Sequence, residues 1–108
     1  MSFIEVTQVN NIPSGSMKVC SAGNKQLLVS NVDGKFYAID NTCTHMGGDL
    51  SRGKLEVKAV TCPRHGAKFD VTSGECLSGP KLGIFKPKGK NTTSYQVKVE
   101  GNSIKVDI

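Results

Sequence analysis

The sequence predicts an all-β fold built from short strands. Runs rich in Val, Ile, Thr, Phe and Tyr recur along the chain, and several alternate apolar and polar residues at period two. Asp33-Gly34 and Gly101-Asn102 each sit between two such runs, as hairpin turns do, because their residues tolerate the positive φ of a tight turn. No stretch carries a long apolar stripe at the helical period. Taken alone, these features predict a small β sandwich or barrel.

Residues 2–8, Phe-Ile-Glu-Val-Thr-Gln-Val, give the first strand, and Asn10-Asn11-Ile12-Pro13-Ser14-Gly15 is a turn cluster. Met17–Cys20 begins a second strand that breaks at Ala22-Gly23-Asn24. Gln26–Val32 and Lys35–Ile39 form a hairpin around Asp33-Gly34 and lead into a loop at Asn41. Residues 46–56 hold Gly47, Gly48 and Gly53 with little apolar periodicity and read as an irregular connection. Lys58–Thr61 and Ala67–Val71 are short strands on either side of a second loop. Thr72–Glu75 is a turn, Cys76-Leu77 a return strand, and Ser78-Gly79-Pro80 another tight turn. Thr93–Glu100 and Ser103–Asp107 close the chain as a hairpin.

At 108 residues the chain is expected to form a single domain, residues 1–108, with room for a core. Its 21% charged and 37% apolar content is ordinary for a globular chain. No apolar run approaches the roughly 20 residues that span a bilayer, so no membrane association is expected. Met1-Ser-Phe-Ile-Glu-Val shows neither a basic leader nor a long apolar core, and a cytoplasmic location is expected. The net charge of +5 is uneven. Residues 51–98 carry ten basic side chains against three acidic ones (Glu56, Asp70 and Glu75), while the remainder is slightly acidic. The basic residues lack interleaved aromatics, which argues against nucleic-acid binding. They fit either a solvated lysine-rich surface or an acidic docking face on a protein partner.

The chemistry concentrates in Cys43-Thr44-His45 and Cys62-Pro63-Arg64-His65, with 16 residues between His45 and Cys62. Each stretch offers one thiolate and one imidazole, a donor set that selects zinc, copper or iron–sulfur chemistry over magnesium or calcium. A zinc finger usually pairs like ligands within each half. The mixed order suits a [2Fe–2S] centre in which two cysteines hold one iron and two histidines the other. A zinc-bound structural module stays open on the residues alone, and iron and acid-labile sulfide content separates the two. His45 and His65 are the only histidines, so none remains for a separate mononuclear iron site. The other two cysteines, Cys20 and Cys76, read as small core-facing residues, and a reducing cytosol argues against a disulfide between them.

Cys43-Thr-His-Met-Gly-Gly48 and Cys62-Pro-Arg-His-Gly-Ala-Lys-Phe-Asp70 resemble the two cluster loops of the Rieske family. Ile12–Val19, Asn31–Ala38, Phe69–Glu75 and Tyr95–Gly101 extend the likeness to soluble Rieske-type ferredoxins over nearly the whole chain. The resemblance implies the Rieske fold. An antiparallel β-sandwich base, about residues 1–40 and 81–108, would carry a small inserted cluster-binding subdomain, about residues 41–80. It implies one [2Fe–2S] cluster per chain, with Cys43 and Cys62 on one iron and His45 and His65 on the other. Met46, Gly47, Gly48, Arg64 and Gly66 would surround the cluster, and the turn at Pro80 would cover it. The implied function is one-electron transfer, not catalysis. The carrier would take electrons from a flavoprotein reductase and pass them to a terminal oxygenase or other acceptor. A small Rieske-like subunit of a larger reductase and a redox sensor are the alternative roles.

The likeness also implies differences from the high-potential, respiratory branch. That branch has a cysteine in each cluster loop, joined as a disulfide, where this chain has Gly48 and Arg64. It has serine and tyrosine hydroxyls donating to sulfur where this chain has Ala67 and Phe69. Fewer donors to sulfur imply a low potential, near the bottom of the Rieske range of about −150 to +300 mV.

Overall fold

The computed structural model describes residues 2–43, 48–64, 66–79 and 89–108. Among these residues the chain is all-β, with two short 3-10 turns and eleven strands in three antiparallel sheets. The strands are β1 (Phe3–Gln8), β2 (Met17–Ala22), β3 (Lys25–Val32), β4 (Lys35–Asp40), β5 (Lys54–Glu56) and β6 (Ala59–Thr61). They continue with β7 (Lys68–Asp70), β8 (Cys76–Ser78), β9 (Ser94–Tyr95), β10 (Val97–Glu100) and β11 (Ser103–Asp107). The first sheet runs β1-β11-β10, the second β2-β3-β4-β9 and the third β5-β6-β7-β8.

The second sheet is the middle layer, and its sequence shows why. Leu27, Leu28 and Val29 are consecutive on β3 and all fully buried, which requires both faces to be covered. Leu27 and Val29 face a core completed by Ile12, Cys20, Ala22, Ala38, Ile104 and Val106, shared with the first sheet. Leu28 and Ile39 face the other way, into a core with Cys43, Leu50, Val60, Cys62, Ala67, Phe69 and Val71. Both candidate cysteine ligands thus lie in the second core, and Cys20 lies in the first.

The Asp33-Gly34 turn forms as expected, with Asp33 at φ 52° and Gly34 at φ 90° between paired Val32 and Lys35. Two expectations change. The closing hairpin does not have one continuous arm over 93–100. Ser94 and Tyr95 pair with Ile39 and Ala38 in the second sheet, then the chain passes Gln96 and pairs Val97–Glu100 with β11 in the first. The Tyr95 hydroxyl fixes the crossing by donating to Asp40 Oδ1 at 2.7 Å. The second change is in 46–56, which is not wholly irregular. Leu50–Arg52 form a 3-10 turn and Lys54–Glu56 form β5, too short for alternation to show in sequence. Gly53 between them is required by space, because a Cβ there would lie 1.9 Å from the Thr61 carbonyl oxygen.

Candidate metal centre

Each of the two loops is closed at its cysteine in the same way. The Cys43 N–H donates to the Gly48 carbonyl at 2.8 Å, and the Cys62 N–H donates to the Ala67 carbonyl at 2.7 Å. In both cases the acceptor lies five residues on, so each closure bridges four intervening residues. The second closure continues the β6–β7 ladder beyond the pair Thr61–Lys68. Strand alternation then turns Thr61 outward and Cys62 inward, and Cys62 is 1% exposed.

The first loop is braced at its root by Asn41 and Asp49. The Asn41 side-chain amide donates to Asp49 Oδ1 at 2.6 Å, and its Oδ1 accepts from the Ser51 N–H at 2.9 Å. Its carbonyl accepts from the Leu50 N–H, and its own N–H donates to the Gln26 carbonyl on β3. Asp49 also accepts from the Ser51 N–H and hydroxyl, and these bonds, with that from Asn41, hold its carboxyl below the usual range. The sequence marks Asn41 only as the place where the loop begins. The available signal was a pair of Asx residues bracketing a cysteine loop.

Gly48 brings the two loops together. A Cβ on Gly48 would lie 2.8 Å from Cys62 Sγ and 3.2 and 3.3 Å from Cγ and Cδ of Arg64. The Gly48 backbone therefore packs directly on the sulfur of the other loop, and the aliphatic stem of Arg64 lies across it. Gly66 shapes the start of the second loop. Its N–H donates to the Cys62 carbonyl at 3.1 Å and its φ is 76°, so the turn itself accounts for the glycine. Ala67 and Phe69 are fully buried in the same core as Cys43 and Cys62.

Cys76 is half-buried against that core, close enough to Cys43 for their charges to interact. The thiol donates to the Ser78 carbonyl at 3.4 Å, and burial pushes its pKa up. Burial likewise raises Cys20, and both remain thiols with no disulfide between them. Asp70 anchors the far end of β7, accepting from the Thr72 N–H and hydroxyl at 2.8 and 2.6 Å and pairing with Lys58 at 3.4 Å. Of the expected site residues, Cys43, Gly48, Cys62, Arg64 and Gly66 are brought together at one end of the third sheet. His45, Met46, Gly47, His65 and Pro80 lie outside the described residues.

A family model for the Rieske [2Fe–2S] domain matches residues 2–104. The chain belongs to the Rieske family. The ferredoxin component of a naphthalene 1,2-dioxygenase system from Pseudomonas aeruginosa is 33% identical over 106 residues, covering 98% of this chain and 95% of that protein. The ferredoxin component of a biphenyl 2,3-dioxygenase from Rhodococcus jostii is 32% identical over 108 residues, covering 100% of this chain and 94% of that protein. Among solved structures, a Sphingomonas yanoikuyae ferredoxin superposes with a TM-score of 0.84 at 26% identity, covering 99% of both chains. A chain from the complex of reduced oxygenase and oxidized ferredoxin in carbazole 1,9a-dioxygenase gives the same TM-score at 28% identity, covering 96% of this chain and 91% of that one. The all-β Rieske fold and an electron-carrying [2Fe–2S] cofactor follow from this membership. The donor chemistry fits the cofactor: two buried cysteines, each with its N–H closing a loop in the same way, share one core, and glycine leaves room beside one sulfur. No helix among the described residues is long and apolar enough to cross a membrane.

Proposed function

We propose that Cys43, His45, Cys62 and His65 hold one [2Fe–2S] cluster, and that the chain carries single electrons from a reductase to a terminal oxygenase. The cluster supplies one-electron redox chemistry at a potential that the surrounding protein sets. The observation that carries the reading is the matched closure of the two loops, which places one buried cysteine at the foot of each. On this reading the third sheet and its loops, about 41–80, form the cluster-binding subdomain, and about 1–40 and 81–108 form the base.

The chain's own residues would do three things. The matched closing hydrogen bonds would fix the cysteines, Gly48 would leave space at Cys62, and the buried side chains of Ala67 and Phe69 would exclude water. Ala67 and Phe69 also bring no hydroxyl to this core, which supports a low potential. Cys20 and Cys76 as thiols suit a reducing cytoplasm, where a reductase would act as donor.

The test is a redox titration followed by visible absorption, with iron and sulfide assayed on the same sample. Expected are two irons and two sulfides per chain and a red-brown colour that bleaches in a single one-electron step at low potential. A coloured protein of high potential overturns the account of Ala67 and Phe69. A colourless protein after anaerobic purification overturns the carrier reading.

A further inference from the structure

The third sheet has two unlike ends on its outer face. Paired residues across an antiparallel sheet share a face, so Lys54, Thr61 and Lys68 form one outward row. Lys54 and Lys68 are exposed, and neither is in an ion pair among the described residues. The row lies one residue from Cys62, and the exposed Arg64 stands just beyond it. Arg52 is at the same end, its charge partly met by Asp49 at 3.7 Å. The opposite end carries Glu56, Glu75 and Asp70, and among the described residues only Asp70 is in an ion pair, with Lys58. The face is positive beside the cysteine loops and negative away from them.

We infer that this cysteine-end face, centred on Lys54, Lys68 and Arg64, docks an acidic face of the terminal electron acceptor. The inference rests on the carrier reading and adds the chemistry of the partner's surface. Charge complementarity argues for carboxylates, and the acceptor is chosen because a related ferredoxin has been solved in complex with its oxygenase. The negative far end would be repelled by the same carboxylates, so the field orients the encounter as well as speeding it.

The test reads the field at the cysteine-end face with two small oxidants of opposite charge. The holoprotein is reduced and mixed by stopped flow with ferricyanide or with hexaamminecobalt(III). In each reaction one electron leaves the protein, giving ferrocyanide or cobalt(II). Between about 10 and 200 mM salt, ferricyanide oxidation should slow about tenfold and the cobalt reaction should quicken. The double variant Lys54→Gln/Lys68→Gln should flatten both dependences. The control Lys18→Gln/Lys35→Gln removes the same charge from exposed sites on the second sheet and should leave them largely in place. Equal flattening by the two doubles would mean that only net charge matters and would overturn the docking face, as would the reverse salt trend. A protein that is not red-brown and reducible would fail before the kinetics begin, which marks failure of the carrier reading instead.

Discussion

Replacing Gly48 with alanine tests the contact that joins the two loops. Gly48 is not in the left-handed region, so its backbone accepts an alanine and any penalty comes from space. The new Cβ would lie 2.8 Å from Cys62 Sγ. Ordinary non-bonded contact begins near about 3.5 Å, so the sulfur or the loop must retreat by roughly 0.7 Å. The Arg64 carbons at 3.2 and 3.3 Å are less crowded and belong to an exposed side chain, whereas Cys62 is buried and held by the Ala67 carbonyl. Overpacking of this kind costs about 1–3 kcal/mol. For a domain of this size each kcal/mol lowers the melting temperature by about 4–8 °C. Gly48→Ala should therefore melt clearly lower and retain less iron per chain, measured by calorimetry and metal analysis on the same preparation. Unchanged melting and iron content would refute the argument. So would full recovery in Gly48→Ala/Arg64→Ala, because the obstruction would then be the arginine stem and not the sulfur.

Four further outcomes are expected. Ala67→Ser with Phe69→Tyr should raise the midpoint potential by about 40 mV for each new bond to sulfur, taking about 1 kcal/mol per bond and 59 mV per tenfold change; a potentiometric titration showing no rise excludes that account. Cys43→Ser and Cys62→Ser should lose iron, whereas Cys20→Ala and Cys76→Ala should keep it, and loss of iron from Cys76→Ala would assign that neighbour of Cys43 to the site. Val57, a β-branched residue at φ 58° and 84% exposed, should give a more stable protein when changed to glycine, by about 1 kcal/mol in urea unfolding. Burial opposes ionisation of Asp70, but hydrogen bonds from Thr72 and the charge of Lys58 outweigh it and hold the carboxyl below its ordinary 3.8. A depressed folded value means that Asp70 stabilises fully above the ordinary value and loses this as pH falls through the folded one. Asp70→Asn should therefore cost about 1–2 kcal/mol at neutral pH and progressively less below about pH 4; a gap that does not narrow as the pH falls below about 4 refutes the assignment.

Much of the site was legible because its signals are local. Two Cys-and-His stretches, a hairpin turn at Asp33-Gly34 and the punctuation at Thr72–Glu75 each depend on neighbours in sequence. What stayed hidden depends on contacts through space. Gly48 looks like any loop glycine until Cys62 is placed against it. Asn41 and Asp49 are eight residues apart, and only the closed loop turns them into a hydrogen-bonded root. β5 is three residues long, and its existence rests on pairing with β6 rather than on its own propensity. The change of sheet at Gln96 leaves no mark in an alternation that runs unbroken from Thr93 to Glu100.

The position of the cysteines is finally a matter of parity. On β6, Val60 points into the core and Thr61 points out, so the next residue, Cys62, is directed inward without any device of its own. Thr42 is exposed and bridges to Asp49, and Cys43 beyond it is buried by the same alternation. Cys62 therefore takes its orientation from β6 and Cys43 from the isolated bridge at Thr42, and both loops begin only after that orientation is set. The exposed cations Lys54, Arg64 and Lys68 lie on the other side, at or beside the second loop. This division explains how a rigid, apolar sulfur side and a charged outer face coexist within a third sheet whose strands are three residues long. One residue more or fewer before either cysteine would turn its sulfur to solvent and leave the loop motif intact but useless.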